Sequence, residues 1–363
     1  MQSLIGKRLK AAREQAGLTQ RKLSASLGFK DRQTLAAIES GKRKVSADEL
    51  LRAMQVLNRD LEYFTDPFRL DGEGSFSWRT SADSVDRTDE FESWAGGCLS
   101  LYRNLATQED VRTSPLRLSL TAKSSYEDAH RAAEWLAKEW KLGDVPAVNL
   151  EEAIGERLRA LVLYIDPPEG ISGAAVRLPE LSAILINRNE TAGRRNFDLA
   201  HELFHLLTWD TITPDHSEYN DELNKKSRSE QLANCFASAL LMPEAVLRKW
   251  WERAPDGNET EWRAWVFELA NELHVTVPAL LWRFVQLGML EKSIVADSER
   301  WSTAHEMIEY KPRRFSLDFV KTLGQGIGEG RISVRRAAEL VDLSIDELAE
   351  LFREHSLEVP FDI

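Results

Sequence analysis

The chain has 363 residues, of which 43% are hydrophobic and 29% are charged, and its formal net charge is −12. This length predicts two or three domains. No segment reaches the ~18 consecutive apolar residues of a membrane span, the N-terminus lacks the apolar core of a signal peptide, and two cysteines give neither a disulfide framework nor a zinc-ribbon spacing. The composition therefore excludes a membrane-spanning or disulfide-stapled protein and predicts a cytoplasmic location.

The first 66 residues are basic, whereas the rest of the chain is acidic. Residues 1–66 carry 13 Lys and Arg against 8 Asp and Glu, a net charge of +5, and the remaining 297 residues carry a net charge of −17. A basic segment on an acidic body indicates that this segment, and not the whole protein, meets a polyanion.

Four helices are predicted in the basic segment from apolar spacing and end signals. The predicted N-caps of helices two, three and four are Thr19, Asp31 and Ser46, and Glu49 completes a capping box at the last of them. Helices one, two and three are predicted to end at Gly17, Gly28 and Gly41. The second and third helices, joined by a short turn that contains glycine, form the helix-turn-helix pattern.

Residues 18–28 (LTQRKLSASLG) and 35–50 (LAAIESGKRKVSADEL) resemble the Xre/Cro/C1 family of helix-turn-helix domains. The resemblance implies binding to double-stranded operator DNA, with bases read by Arg32, Gln33, Thr34 and Ala37. The residues it places at phosphates are Gln20, Lys42, Arg43 and Lys44. Such domains usually bind two half-sites, which implies a homodimer. A helical bundle used for protein binding or dimerisation is the alternative.

Residues 67–123 are expected to be a linker with a poorly defined helical segment. Residues 67–90 are polar and rich in Gly, Ser and Asp, which predicts little structure of their own. Residues 91–106 show a weak helical pattern, and the pattern of residues 107–123 is ambiguous.

A small sheet is predicted next, preceded by two helices. The helices span residues 124–141, capped at Ser124 or Ser125, and Leu150–Leu158. Three short strands follow at residues 161–166, 173–178 and 182–189. A sheet edge can bind an extended peptide through backbone hydrogen bonds, and Ile184–Asn187 is the candidate edge.

The segment NFDLAHELFHLL (196–207) contains His201, Glu202 and His205 in the order H-E-x-x-H. Residues four apart share a helix face, so both imidazoles can point at one ion, and Glu202 lies close enough to hold a water molecule without being a ligand. The apolar flanks predict a helix buried in an enzyme core. The alternative is a pair of core histidines, but burying two His and a Glu without a metal is costly.

A catalytic zinc needs a third protein ligand and an open position for water. Most downstream acids lie in the polar segment 208–229, which is predicted to be a mobile loop, whereas Glu230 begins the helical run 229–244. A ligand on a rigid helix is held more accurately, which favours Glu230. Asn234, one turn further, can hydrogen-bond a ligand. His216, in the polar loop, is the alternative ligand.

Three segments together resemble the ImmA/IrrE family of zinc metallopeptidases: SAILINRN (182–189), RRNFDLAHELFHLL (194–207) and SEQLANCFASALLMPE (229–244). The resemblance covers about residues 124–290. It implies that Zn²⁺ is held by His201, His205 and Glu230, with Glu202 as the general base that serves a metal-activated water. Asp198 departs from the family pattern, where a small hydroxyl residue is more usual, and the departure is not expected to affect the chemistry.

The C-terminal part is predicted to be helical, with helices at residues 245–254 and 259–274 that are rich in Trp. The Trp cluster is interpreted as core and not as a ligand cage. Residues 272–290 and 333–354 share a helix-turn-helix rhythm, but the second is acidic, which favours a docking or regulatory role over DNA binding. The apolar end PFDI is expected to be tucked in.

The sequence thus predicts an α+β, mostly helical fold in four parts. They are an all-α helix-turn-helix bundle (1–66), a linker (67–123), a zincin-like domain with a small sheet and the H-E-x-x-H helix (124–290), and a helical C-terminal region (291–363).

The two resemblances imply a DNA-binding transcriptional regulator with a zinc endopeptidase domain. This domain would cleave a partner protein, such as an Xre-type repressor, in stress or mobile-element control. The alternative function is a non-proteolytic transcription factor or an antitoxin-type binding protein that uses the zincin fold as a sensor or partner-binding module.

Overall fold

A computed structural model of the protein describes residues 2–70, 74–80, 85–107, 114–219, 227–298 and 311–362. Helices predominate among these residues, and the strands form one five-stranded sheet. The predicted α+β, mostly helical class is confirmed. Within the described residues, no helix is long and apolar enough to span a membrane.

The N-terminal bundle has the helices and caps that the sequence predicts. Thr19 and Asp31 accept hydrogen bonds from the amides of Lys22 and Thr34, and Ser46 and Glu49 form a reciprocal capping box. A separate core, built around Leu9, Leu23, Leu35, Ile38 and Phe64, holds the bundle together. The helices are α1 (Gln2–Gln15), α2 (Gln20–Ser26), α3 (Arg32–Glu39), α4 (Ala47–Leu57) and α5 (Leu61–Thr65).

The sheet is built from strands that follow the N-terminal bundle in the chain, and its strand order is β2-β4-β3-β1-β5. β3 is antiparallel to both of its neighbours, β4 and β1, whereas β2 pairs with β4 and β5 pairs with β1 in parallel. The strands are β1 (Ser75–Thr80), β2 (Ala160–Ile165), β3 (Ile171–Arg177), β4 (Ser182–Asn187) and β5 (Ser217–Tyr219).

Two predictions about this part of the chain are wrong. Residues 67–90 are not an unstructured linker, because β1 pairs with β3 along its length and a helix begins at Val85. Ile184–Asn187 is not a sheet edge, because β4 lies between β2 and β3 and is buried at all but its last residue. Its continuous apolar run reflects burial on both faces, as in a central strand.

Helices cover both faces of the sheet and form two further cores. On the first face, Ala175, Ile184 and Ile186 pack with residues of the H-E-x-x-H helix and its neighbours. The helices of this core are α7 (Tyr126–Glu139), α8 (Pro146–Ala153, continued by a π-helical turn, Ile154–Leu158), α9 (Ala192–Thr208), α10 (Arg228–Leu241), α11 (Glu244–Trp251), α12 (Glu259–Glu272), α13 (Val277–Gln286) and α14 (Lys292–Ser298). Trp251, Trp265 and Phe284 pack together here, as the core interpretation of the Trp cluster predicts.

On the second face, Trp78, Val176 and Leu185 pack against helices from two distant parts of the chain. These helices are α6 (Val85–Leu105), α15 (Leu317–Gly328), α16 (Val334–Leu340) and α17 (Ile345–Glu354). Phe361 of the terminal PFDI segment packs on Phe352, as predicted. The C-terminal region therefore covers the second face of the sheet, a structural role that its sequence did not reveal.

Candidate metal centre

The H-E-x-x-H helix, α9, is held under the sheet and beside α10. It packs against β3, β4 and α10, and its residues from Asp198 to Thr208 are all buried. Leu203, Phe204 and Leu207 fill the core around it, so the helix is anchored by its apolar faces. The polar side chains that share this buried helix are thereby fixed in place.

Three side chains from α9 and α10 converge on one point. His201 Nε2 and His205 Nε2 are 3.1 Å apart, and the Glu230 carboxylate oxygens lie 3.2 Å from the first and 3.1 Å from the second. Ligand bonds of about 2.0–2.1 Å at tetrahedral angles would separate neighbouring donor atoms by about 3.3 Å. The donor set and its spacing therefore fit a zinc ion. This is also the one such group of His, Cys, Asp and Glu found among the described residues.

The environment of His201 favours the form that binds a metal. Burial lowers the pKa of His201 to about 4, so the ring is neutral at pH 7. Its Nδ1 lies 3.2 Å from Asn234 Oδ1, an oxygen that can only accept. The ring hydrogen on Nδ1 therefore points at Asn234, and the lone pair of Nε2 points at the candidate metal position.

Glu202 lies beside the three ligands with one oxygen held and the other without a partner. The carboxylate accepts a hydrogen bond from the backbone amide of Ala175 on β3, and burial raises its pKa well above the ordinary value. Within the described residues, its Oε1 is buried and has no hydrogen-bond partner. A buried carboxylate oxygen without a partner fits a site that receives another polar group, and the raised pKa suits proton transfer near neutral pH.

Sequence reasoning missed Arg79, which reaches this site from β1. Its guanidinium pairs with Asp198, one turn before His201 on α9, and its side chain is 12% exposed. Burial lowers the pKa of Arg79, but the charges of Asp198, Glu202 and Glu230 outweigh this and raise it. Asp198, the departure from the family pattern, is therefore part of the site's electrostatics. The alternation of Ser75, Phe76, Ser77, Trp78 and Arg79 is the signal that could have revealed the strand.

His216, the alternative third ligand, lies elsewhere. Its Nε2 is 2.8 Å from Glu92 Oε2, and its side chain is half exposed. It is not part of the three-residue group.

The residues predicted to contact DNA lie on α2, α3 and the turn after α3. The side chains of Arg32, Gln33, Lys42 and Lys44 are exposed, whereas Thr34 and Ala37 are half-buried. Arg43 is also exposed but binds Glu49 at 2.8 and 3.0 Å. Gln20 donates to Glu39 at 2.7 Å. Four of the eight side chains, those of Arg32, Gln33, Lys42 and Lys44, are thus exposed and take no part in the hydrogen bonds made by Arg43 and Gln20.

Comparisons with known proteins identify two families in the chain. Residues 9–64 match the helix-turn-helix family model, and residues 157–284 match the model of the Peptidase M78 family, described as the IrrE N-terminal-like domain. The chain is 35% identical over 112 residues to the radiation response metalloprotease IrrE of Deinococcus radiodurans, a match that covers 30% of this chain and 32% of that relative. The chain therefore combines a helix-turn-helix domain with an IrrE-like peptidase domain, as predicted.

Proposed function

We propose that this protein is a DNA-binding transcriptional regulator whose IrrE-like domain is a zinc endopeptidase that cleaves a partner protein. The observation that carries the proposal is the convergence of two imidazole nitrogens and a carboxylate at 3.1–3.2 Å beside a buried, partnerless oxygen of Glu202. The name of the matched relative, a radiation response metalloprotease, supports a role in stress responses. An Xre-type repressor is the proposed substrate, in stress or mobile-element control.

The residues of the site divide the proposed reaction between them. His201, His205 and Glu230 would hold Zn²⁺, which supplies Lewis acidity that polarises a peptide carbonyl and acidifies water. Asn234 fixes the ring of His201 through Nδ1. Glu202 would take up a proton from the attacking water at Oε1 and then pass it to the leaving nitrogen of the cleaved peptide bond.

The N-terminal domain would deliver the peptidase to an operator or regulate the protein's own gene. Its net charge of +5 on an otherwise acidic chain supports contact with a polyanion. Arg32 and Gln33 at the start of α3, with Lys42 and Lys44 after it, are exposed where base and phosphate contacts are proposed. We propose that two copies bind two half-sites as a homodimer.

The peptidase proposal is tested by changing the proton carrier alone. Glu202→Gln should keep zinc, measured by elemental analysis, and should keep DNA binding, but it should abolish cleavage of the partner. Wild type and variant are co-expressed with neighbouring gene products, and a product lost only with wild type identifies the substrate. Transcriptional output that survives unchanged in Glu202→Gln would refute the enzyme proposal.

The DNA proposal is tested by changing two exposed side chains of α3. The double variant Arg32→Ala/Gln33→Ala should bind an operator at least about tenfold more weakly, because each good base contact contributes roughly 1–3 kcal/mol. Lys138→Ala, on α7 in the peptidase domain, is the matched charge-loss control. If wild type fails to bind any DNA at low salt, the N-terminal domain is a protein-interaction module instead.

The burial of the site favours a second candidate, a binding protein without turnover. His201, Glu202 and His205 are only 0%, 1% and 0% exposed, so a peptide has no open route to them in this conformation. In that function the domain would act as a sensor or partner-binding module. The Glu202→Gln experiment separates the two, since only turnover requires a proton carrier.

A further inference from the structure

The strand above the catalytic helix is β3, and one of its edges is suited to an extended peptide. β3 runs antiparallel to β4, and the backbone amide of Ala175 on β3 donates a hydrogen bond to the Glu202 carboxylate. On the edge of β3 away from β4, the same Ala175 lies across from Ser77 of β1. An extended peptide added there would gain backbone hydrogen bonds independent of its sequence, and pockets for alternate side chains would give specificity.

This edge is filled by the chain's own residues 75–80. β1 pairs with β3 in antiparallel register, with Ser77 across from Ala175 and Arg79 across from Gly173. Side chains alternate along a strand. Phe76 and Trp78 therefore enter the core on the second face of the sheet, whereas Ser77 and Arg79 face α9. Arg79 is bound there by Asp198. β1 thus takes the position and backbone pairing that an added peptide strand would have on this edge, and on its other side it pairs in parallel with β5.

Charge explains why an arginine suits this position. Asp198, Glu202 and Glu230 all act on the guanidinium of Arg79. Asp198 is 1% exposed, so a peptide without a cation at this position would leave its carboxylate buried and unpaired, which is strongly unfavourable. The same cost discriminates among peptides, because a site built for one polar partner rejects those that lack it.

We propose that residues 75–80 occupy the peptide-binding edge of β3 as an internal substrate mimic, and that Asp198 selects an arginine in the peptide that replaces them. This rests on the proposed peptidase function and deepens it. The substrate is then an extended segment with an arginine on the side facing α9. Cleavage then requires β1 to leave the edge of β3.

Hydrogen exchange of the full-length protein tests whether β1 is displaceable. Arg79→Glu replaces the cation beside Asp198 with a further carboxylate, so residues 75–80 should exchange about tenfold faster or more, while residues 160–165 and 182–187 keep their wild-type protection. Arg79→Lys should stay near wild type. Arg353→Glu, an equal charge change at an exposed position of α17, should alter none of these segments.

Two exchange results would overturn the proposal. In one, Arg79→Glu leaves residues 75–80 as protected as Arg353→Glu does. In the other, it accelerates all strands together, which would show that β1 is an integral part of the sheet and not an occupant of a peptide site.

A peptide tests recognition of arginine in the same site. A labelled peptide with the sequence of residues 74–80 (GSFSWRT) should bind Arg79→Glu/Glu202→Gln at least about tenfold more tightly than Glu202→Gln alone, by fluorescence anisotropy. The same peptide with glutamate in place of arginine should bind neither. Equal affinity of the two proteins, or of the two peptides, would refute the proposal. Neither measurement involves turnover, so a failure here is distinct from an absence of cleavage by wild type.

Discussion

At the scale of single residues, the site is a cluster of charges that a divalent cation would balance. Four carboxylates act on the guanidinium of Arg79, those of Asp198, Glu202, Glu230 and Glu190. Glu190 is itself paired with Arg194. When these four carboxylates, Arg79 and Arg194 are all ionised, their formal sum is −2. Without a cation, burial raises the pKa of Glu202, so protonation relieves part of the excess. A bound Zn²⁺ would bring the sum to zero and favour the ionised form of Glu202 that can accept a proton.

The contact between His201 and Asn234 leads to a prediction about metal affinity. Asn234→Ala removes the acceptor that orients the His201 ring through Nδ1. We expect the affinity for Zn²⁺ to fall about 10–100-fold, as is typical when the partner of a metal-binding histidine is lost. Competition against a chromophoric chelator measures this. Asn271→Ala, the same change at an exposed position on α12, is the control, and equal affinities of the two variants would contradict the prediction.

The proposed metal ligands could be predicted because their spacing is local, whereas Arg79 could not. His201 and His205 share a face of one helix, and Glu230 begins the next strongly helical run. Arg79 meets Asp198 across 119 residues of sequence. Such a pair depends on which strand pairs with which, and the alternation of residues 75–80 shows a strand without showing its neighbour. The polar composition around it then favoured a linker.

At the scale of secondary-structure elements, the position of α9 depends on a close contact at its start. A Cβ at Gly193 would lie 2.6 Å from the carbonyl carbon of Val275 and 2.7 Å from the amide nitrogen of Thr276. Both are backbone atoms, and Thr276 caps α13, so this neighbour cannot move as a side chain would. Asn196 adds a hydrogen bond to the carbonyl of His274 in the same turn. The turn before α13 thus sets where the catalytic helix begins.

A side chain at this contact should disturb the metal site through the helix. We expect Gly193→Ala to reduce the free energy of unfolding by about 1–3 kcal/mol, the usual range for overpacking, and to weaken zinc binding by tilting α9. Chemical denaturation and chelator competition measure the two effects. Gly328→Ala, where a Cβ meets nothing within 4 Å, should leave both nearly unchanged. If Gly193→Ala behaves like Gly328→Ala, the turn does not position the helix.

Elements with end signals of their own were predicted well, and those stabilised by distant contacts were not. The capping box at Ser46 and the N-caps at Thr19 and Asp31 are encoded within four residues, and the structure confirms them. The position of β4 inside the sheet was misjudged because strand order depends on pairing between segments far apart in sequence. A buried apolar run is compatible with either position until its neighbours are known.

At the scale of the whole molecule, the three cores are joined in different ways. The N-terminal bundle has a core of its own, and its links to the rest include an ion pair between Asp66 and Arg336 and an exposed one between Lys7 and Glu180. The other two cores share the sheet, one on each face. The sequence suggested a docking or regulatory role for residues 333–354 from their helix-turn-helix rhythm and acidic charge, but neither feature shows what a helix packs against.

This arrangement predicts opposite results for two truncations. A variant that lacks residues 1–66 should keep a cooperative thermal transition, because the sheet and both of its cores stay intact. A variant that ends at residue 310 loses Phe315, Phe319 and Phe352 from the second core, which uncovers the buried Trp78 and Leu185. It should bind a hydrophobic dye and lose its cooperative transition, because one face of the sheet becomes an exposed apolar surface.

Zinc content of the two truncated proteins connects this result to the site. The proposed ligands lie on the first face of the sheet. Glu202, however, accepts a hydrogen bond from the amide of Ala175 on β3, and the next residue of that strand, Val176, packs in the core on the second face. The variant that ends at residue 310 should therefore bind zinc more weakly than the variant without the bundle. If it instead unfolds cooperatively and keeps wild-type zinc affinity, the C-terminal region is a separable docking module and not the cover of the sheet.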